Sequence, residues 1–155
     1  MAARHFLARP QAFQRPPPAV GGYAILSHTW GEEEVTFQDM ANPAAAAGKK
    51  GWAKIKTTCE IARRDHKLSY TWADTCCIDK SSSAELSEAV NSIFSWYKQA
   101  DLYMAYLRVY TLQSLQAQEQ PSQHGDILLS CRWFTRGWTS QELIAPRDML
   151  FYNAL

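Results

Sequence analysis

Hydrophobic positions in this chain come in short dense blocks, separated by polar, glycine-rich or proline-rich stretches. YAILSHTW, from Tyr23 to Trp30, is apolar and bounded by Gly21, Gly22 and Gly31, which predicts a buried strand. Glu32 to Gly48 is acidic, then alanine-rich and broken by Pro43, a long connection with room for one helical turn. From Lys49 the period changes. Trp52, Ile55, Cys59 and Ala62 recur at three- and four-residue steps and would line one helix face, with Lys49, Lys54, Arg63, Arg64 and Lys67 largely on the solvated side. SYTWADTCCID, Ser69 to Asp79, predicts a second strand with a polar end. Ser82 and Glu85 have capping-box spacing and open a second helix. Its core face is expected to carry Leu86, Ala89 or Val90, Ile93, Phe94 and Tyr97, and its end to fall near Gln99 or Ala100. Asp101 to Tyr110 predicts a third strand, and Thr111 to Gly125 a surface loop. The tryptophan-rich RWFTRGWTSQELIAP predicts a short helix stopped near Pro146, and Asp148 to Asn153 a fourth strand.

Strands alternating with helices in this way make an α/β fold, a three-layer sandwich around a mostly parallel central sheet. Such sheets bind ligands beyond the carboxyl ends of their strands, which directs attention to Ser27 to Trp30 and to Asp74 to Asp79. Residues 1–22 stand apart from the rest. They hold Arg4, Arg9 and Arg15, no acidic residue, and the run Pro16, Pro17, Pro18, which reads as a poorly ordered or divergent arm before a domain over 23–155. An arginine-rich, acid-free start also resembles a mitochondrial presequence, as the lesser alternative to an adventitious leader.

Composition narrows the chemistry. The 155 residues fit one domain, 46% hydrophobic and 20% charged, and a net charge of +1 makes no electrostatic case for nucleic acid. No apolar run approaches the ~20 residues of a membrane helix. Cys76 and Cys77 are adjacent while Cys59 and Cys131 stand alone, so no disulfide frame is expected and a reducing, cytoplasmic compartment fits. The first strand ends in SHTWGEEE with Gly31 as its single glycine, too few for a dinucleotide-binding turn, and no GxxxxGK loop occurs. Adjacent cysteines cannot chelate one zinc, and His5, His28, His66 and His124 are scattered. No metal and no resident cofactor is expected. A cysteine nucleophile would need His28 to meet Cys77 across strand ends, and inert core cysteines are the commoner case.

The carboxylates are more informative. Asp74 and Asp79 end an otherwise apolar strand, although Asp79 equally suits a structural role starting the serine-rich turn. Glu142 lies in GWTSQEL near Trp133 and Trp138. There it is either an exposed helix glutamate or a partly desolvated catalytic group. Trp30 and Trp138, in polar loop contexts, are candidates to stack on a flat ligand.

Three blocks carry a resemblance together: YAILSHTWG, WADTCCIDKSSSAELSEAVNSIFSWYKQADLYMAYL and RWFTRGWTSQELIAPRDMLFYN. In order and spacing they resemble the signature blocks of the fungal heterokaryon incompatibility (HET) domain. Asp79 and Lys80 stand where that family usually has an asparagine–glutamine pair. The resemblance implies a cell-death effector of fungal non-self recognition, and more distantly a Toll/interleukin-1 receptor (TIR)-like, flavodoxin-like sheet. In NAD-cleaving TIR domains a glutamate follows a tryptophan as it does in RGWTSQEL, which implies Glu142 as the catalytic residue here. NAD is then the expected substrate. Ser27, His28, Trp30, Asp74, Asp79 and Trp138 would line the site, and Arg136 would meet a phosphate. The activity would depend on self-association into a homo-oligomer. The rival expectation is a protein–protein signalling module that assembles with like domains and does no chemistry.

Overall fold

The computed structural model describes residues 22–107, 131–137, 139–146 and 149–152. The expectations for the arm over 1–22, apart from Gly22, for the 111–125 loop and for Trp138 lie outside the described residues.

Four strands form one parallel sheet: β1 (Tyr23–His28), β2 (Tyr70–Ala73), β3 (Leu102–Tyr106) and β4 (Met149–Tyr152), in the order β2-β1-β3-β4. This is the flavodoxin-like doubly wound order, whose switch point lies between β1 and β3. All six residues of β1 are buried, as a central strand covered on both faces requires. Among the described residues the helices are α1 (Pro43–Ala47), α2 (Trp52–His66), α3 (Asp74–Cys77), α4 (Ser83–Gln99) and α5 (Thr139–Ile144), with a 3-10 turn at Gln38–Ala41.

The register divides the side chains between two cores. Ala24 pairs with Leu102 and Leu26 with Met104, and Ala24, Leu102 and Met104 pack with Ala62 of α2. On the opposite face Ile25 pairs with both Trp72 and Tyr103. There the ring of Trp72 meets Trp96 of α4 at 5.4 Å, and Tyr97 meets Tyr103 at 5.4 Å, both edge-on. Fully burying Ile25, Leu26 and Ile55 contributes about 1.5–3 kcal/mol apiece.

Three expectations need correction. The second strand stops at Ala73, and Asp74 opens the short helix α3 instead of continuing a strand to Asp79. Lys54 is not solvated: it is a buried residue of α2, 8% exposed, with its ammonium paired with Glu34. In α4 the core takes Ala89, Trp96 and Tyr97, with Ile93 packed against it, whereas Leu86, Val90 and Phe94 are exposed. The cap of α4 follows the expected serine. Ser82 Oγ accepts from the Glu85 amide at 3.3 Å, while the Glu85 carboxylate reaches back to the Asp79 amide at 2.9 Å.

The foot of β1 is pinned to the start of β3. The Tyr23 amide donates to Asp101 Oδ2 at 3.0 Å, the Asp101 amide donates to the Tyr23 carbonyl at 3.0 Å, and the Tyr23 hydroxyl donates to the Trp96 carbonyl at 2.5 Å. Gly22 makes this clasp possible. Its φ is +69°, and a Cβ there would sit 2.5 Å from Asp101 Oδ2. Gly22→Ala is expected to lower unfolding free energy by roughly 1–3 kcal/mol, since it combines left-handed strain with a clash. Urea denaturation of the variant beside the wild type checks this.

Candidate functional site

The carboxyl ends of β1 and β2, the start of α3 and the segment leading into α5 surround a cleft of about 450 Å³. Trp30, Asp74, Lys80, Tyr97, Arg136 and Glu142 line it, together with apolar residues of α4 that include Leu86, Ala89 and Ile93. The volume is that of an ordinary small-molecule site, and a largely apolar wall with a few convergent polar groups is its usual make-up.

Glu142 is only 2% exposed, so the surface-glutamate reading of the sequence fails. Its carboxylate receives four donors. Ser27 Oγ donates to Oε2 at 2.6 Å and the Tyr103 hydroxyl to Oε2 at 3.3 Å. The Tyr97 hydroxyl donates to Oε1 at 3.2 Å, and Arg136 Nη2 approaches Oε1 at 3.3 Å as donor and counter-ion. Ser27 can give its proton to Glu142 because it accepts a separate bond from Trp133 Nε1 at 2.7 Å. Burial, and then the Glu142 charge, push both phenols upward, so Tyr97 and Tyr103 remain donors at neutral pH.

A second charged cluster adjoins the first. His28 is buried, with Nε2 3.3 Å from Asp74 Oδ1 and Nδ1 3.9 Å from Glu34 Oε2, close enough to pair but out of hydrogen-bond alignment. Lys54 pairs with Glu34, and Trp30 Nε1 donates to Asp74 Oδ2 at 3.0 Å. Burial raises the Asp74 pKa, but His28, Lys80 and Arg136 outweigh it and leave the net shift downward.

The expected residues therefore divide. Trp30, Asp74, Arg136 and Glu142 line the cleft, while Ser27 and His28 stand behind it and hold Glu142 and face Asp74. Asp79 is not part of the cleft wall. Its Oδ1 accepts from the Ser81 amide and hydroxyl and from Gln38 Nε2, which is the structural turn role. His28 faces carboxylates, and the thiols of Cys59 and Cys76 are unsuited to attack. Burial pushes Cys59 up to about 12, and hydrogen bonding to Cys77 together with burial pushes Cys76 well above its ordinary value. Residue-by-residue reading missed Tyr97, Tyr103 and Lys80. The available signal for the tyrosines was that a phenol predicted on a buried face must find a partner for its hydroxyl. Among the described residues no cluster of His, Cys, Asp or Glu is placed to hold a metal, and no helix is long and apolar enough to cross a membrane.

A doubly wound parallel sheet with a carboxylate-floored cleft above its strand ends defines the chain as an α/β domain with its cleft where such sheets usually carry one. The family described as Heterokaryon incompatibility protein (HET) matches residues 23–127. The vegetative incompatibility protein HET-E-1 of Podospora anserina is 45% identical over 140 residues, which is 89% of this chain and 10% of that protein. The chain thus belongs to the heterokaryon incompatibility (HET) family, and it spans about a tenth of the length of this relative. No solved structure matches it.

Two outcomes follow from the geometry. Ser27→Ala removes a donor from Glu142 and leaves the Trp133 indole N–H without its hydroxyl, so thermal unfolding should show a loss of about 1–3 kcal/mol. Asp74 ionises more readily folded than unfolded. Its contribution to stability is therefore present above its ordinary pKa of 3.8 and lost as pH falls below that value. Denaturation midpoints between about pH 2 and 5 should fall less steeply in Asp74→Asn than in the wild type.

Proposed function

We propose that this domain is a cell-death effector of fungal non-self recognition, acting in the cytoplasm, and that it cleaves NAD to nicotinamide and ADP-ribose when it self-associates. The observation that carries this reading is Glu142, a fully buried carboxylate at the wall of a ligand-sized cleft, held by Ser27, Tyr97, Tyr103 and Arg136. The 2-1-3-4 strand order agrees with the TIR-like relationship that is part of the proposal.

The chemistry asks little more of the protein. In NAD the nicotinamide is already cationic, so the bond from its ring nitrogen to ribose C1′ breaks with both electrons passing to that nitrogen, and the leaving group departs neutral. Positive charge develops on the ribose, where a fixed carboxylate stabilises it through space and through the ribose hydroxyls. Water then adds to C1′ and releases a proton. Arg136 is the most exposed of the groups on Glu142. It is the donor that a ribose hydroxyl would displace, and its second nitrogen, Nη1, is buried without a hydrogen-bond partner among the described residues. In that exchange Arg136 would turn toward the substrate's phosphates.

A second reading has its own observation. Leu86, Val90 and Phe94 are exposed along one line of α4, and Ile144 of α5 is 78% exposed. Apolar side chains at i, i+4 and i+8 suit assembly with a like domain. Assembly serves the hydrolase reading as well as a purely signalling one.

Purified wild type and Glu142→Gln, compared at high concentration, separate the two. The glutamine should fold, because its oxygen can take Arg136 while Ser27 and Tyr103 turn their hydroxyls to accept from its amide. Nicotinamide release by the wild type, reduced by a factor of about 100 or more in the variant, is the expected result. No release even from forced oligomers overturns the hydrolase. Loss of signalling in Phe94→Glu, outside the cleft wall, but not in Glu142→Gln would then establish the assembly module.

A further inference from the structure

Lys80 is exposed, yet its ammonium lies against an aromatic face. Its Nζ lies 3.6 Å from the centroid of the Trp30 ring, in van der Waals contact with one face of the indole. The ring itself is fixed, because its N–H is spent on Asp74. Trp30 is 51% exposed and is the largest aromatic side chain bordering the cleft among the described residues. A smaller cleft of about 250 Å³ lies alongside, and Trp30, Ile78 and Lys80 line both. The Lys80–Trp30 stack therefore stands where the two spaces meet.

We propose that Lys80 determines specificity for a nucleotide over a nucleoside by occupying the Trp30 face until a base takes it, and by then pairing with a phosphate of the same ligand. A base stacked on an indole is held more strongly than an ammonium over an exposed one, so the exchange runs toward the ligand. The displaced ammonium sets the selectivity. A nucleoside evicts Lys80 and offers it no anion, whereas a nucleotide restores its charge interaction with a phosphate. Arg136, on the same cleft with Nη1 lacking a hydrogen-bond partner among the described residues, is a second cation for that phosphate. The idea rests on the preceding section only in taking the ligand to be a nucleotide, and it does not require that anything be cleaved.

The test is calorimetric binding of adenosine and of ADP to wild type, Lys80→Ala, Lys80→Arg and Trp30→Ala. Wild type is expected to bind ADP at least tenfold more tightly than adenosine. Lys80→Ala should bind adenosine severalfold more tightly than wild type and ADP about tenfold more weakly, so that the preference collapses. Lys80→Arg should keep it, and Trp30→Ala should weaken both ligands. Equal weakening of both by Lys80→Ala overturns the proposal, as does unchanged adenosine binding in that variant. NAD turnover assayed on the same preparations keeps the two ideas apart. ADP preference without turnover removes the hydrolase and leaves this inference standing, whereas turnover with an unchanged KM for NAD in Lys80→Ala does the reverse.

Discussion

A carboxylate taken out of water must be given back its hydrogen bonds, and the region around Glu142 is organised by that demand. Leaving such a charge unpaired in the interior costs several kcal/mol. Here the donors come from β1, β3, α4 and the segment before α5, one from each. No one of these elements can shift without exposing or stranding the charge. Trp133 adds a further constraint, since its indole fixes the direction of the Ser27 hydroxyl. The price of burying one anion is thus a rigid floor to the cleft, and rigidity at fixed charges is what stabilising a developing cation requires.

β1 connects this network to the other one. Adjacent residues of a strand point to opposite faces, so Ser27 serves the α4 side and Glu142, while His28 serves the α2 side and its own carboxylates. A slip of one residue in the pairing of β1 would exchange the two and strand both charges. The register is therefore held electrostatically as well as by apolar packing. The two clusters meet again above the strand ends, where Asp74 and Glu142 line the same space.

Much of this was legible in the letters, for physical reasons. Apolar runs bounded by glycine mark strands buried on both faces, and the alternation of strands with helices dictates the parallel sheet. What failed was local ambiguity. The apolar residues of α4 at 86, 89, 90, 93, 94, 96 and 97 cover so wide an arc that two faces satisfy the helical period, and the bulk of Trp96 and Tyr97 decides between them. The run Cys76, Cys77, Ile78 continues an apolar pattern through Asp74, so the helical turn of α3 looks like more strand. Lys54 misleads because a long aliphatic stem can be buried while its charged end finds a partner. At the site, Glu142 stood out by its neighbours in sequence, but the tyrosines that hold it are 45 and 39 residues away, and no local pattern encodes them.

That separation also bears on timing. The bond between Ser27 and Glu142 spans 115 residues, and contacts that close so long a loop form late in folding. During synthesis β1, β2 and β3 are complete before the glutamate has been added to the chain. A growing polypeptide can hold most of the sheet while lacking the anion that finishes the pocket, so whatever this pocket does is withheld until translation has passed that codon.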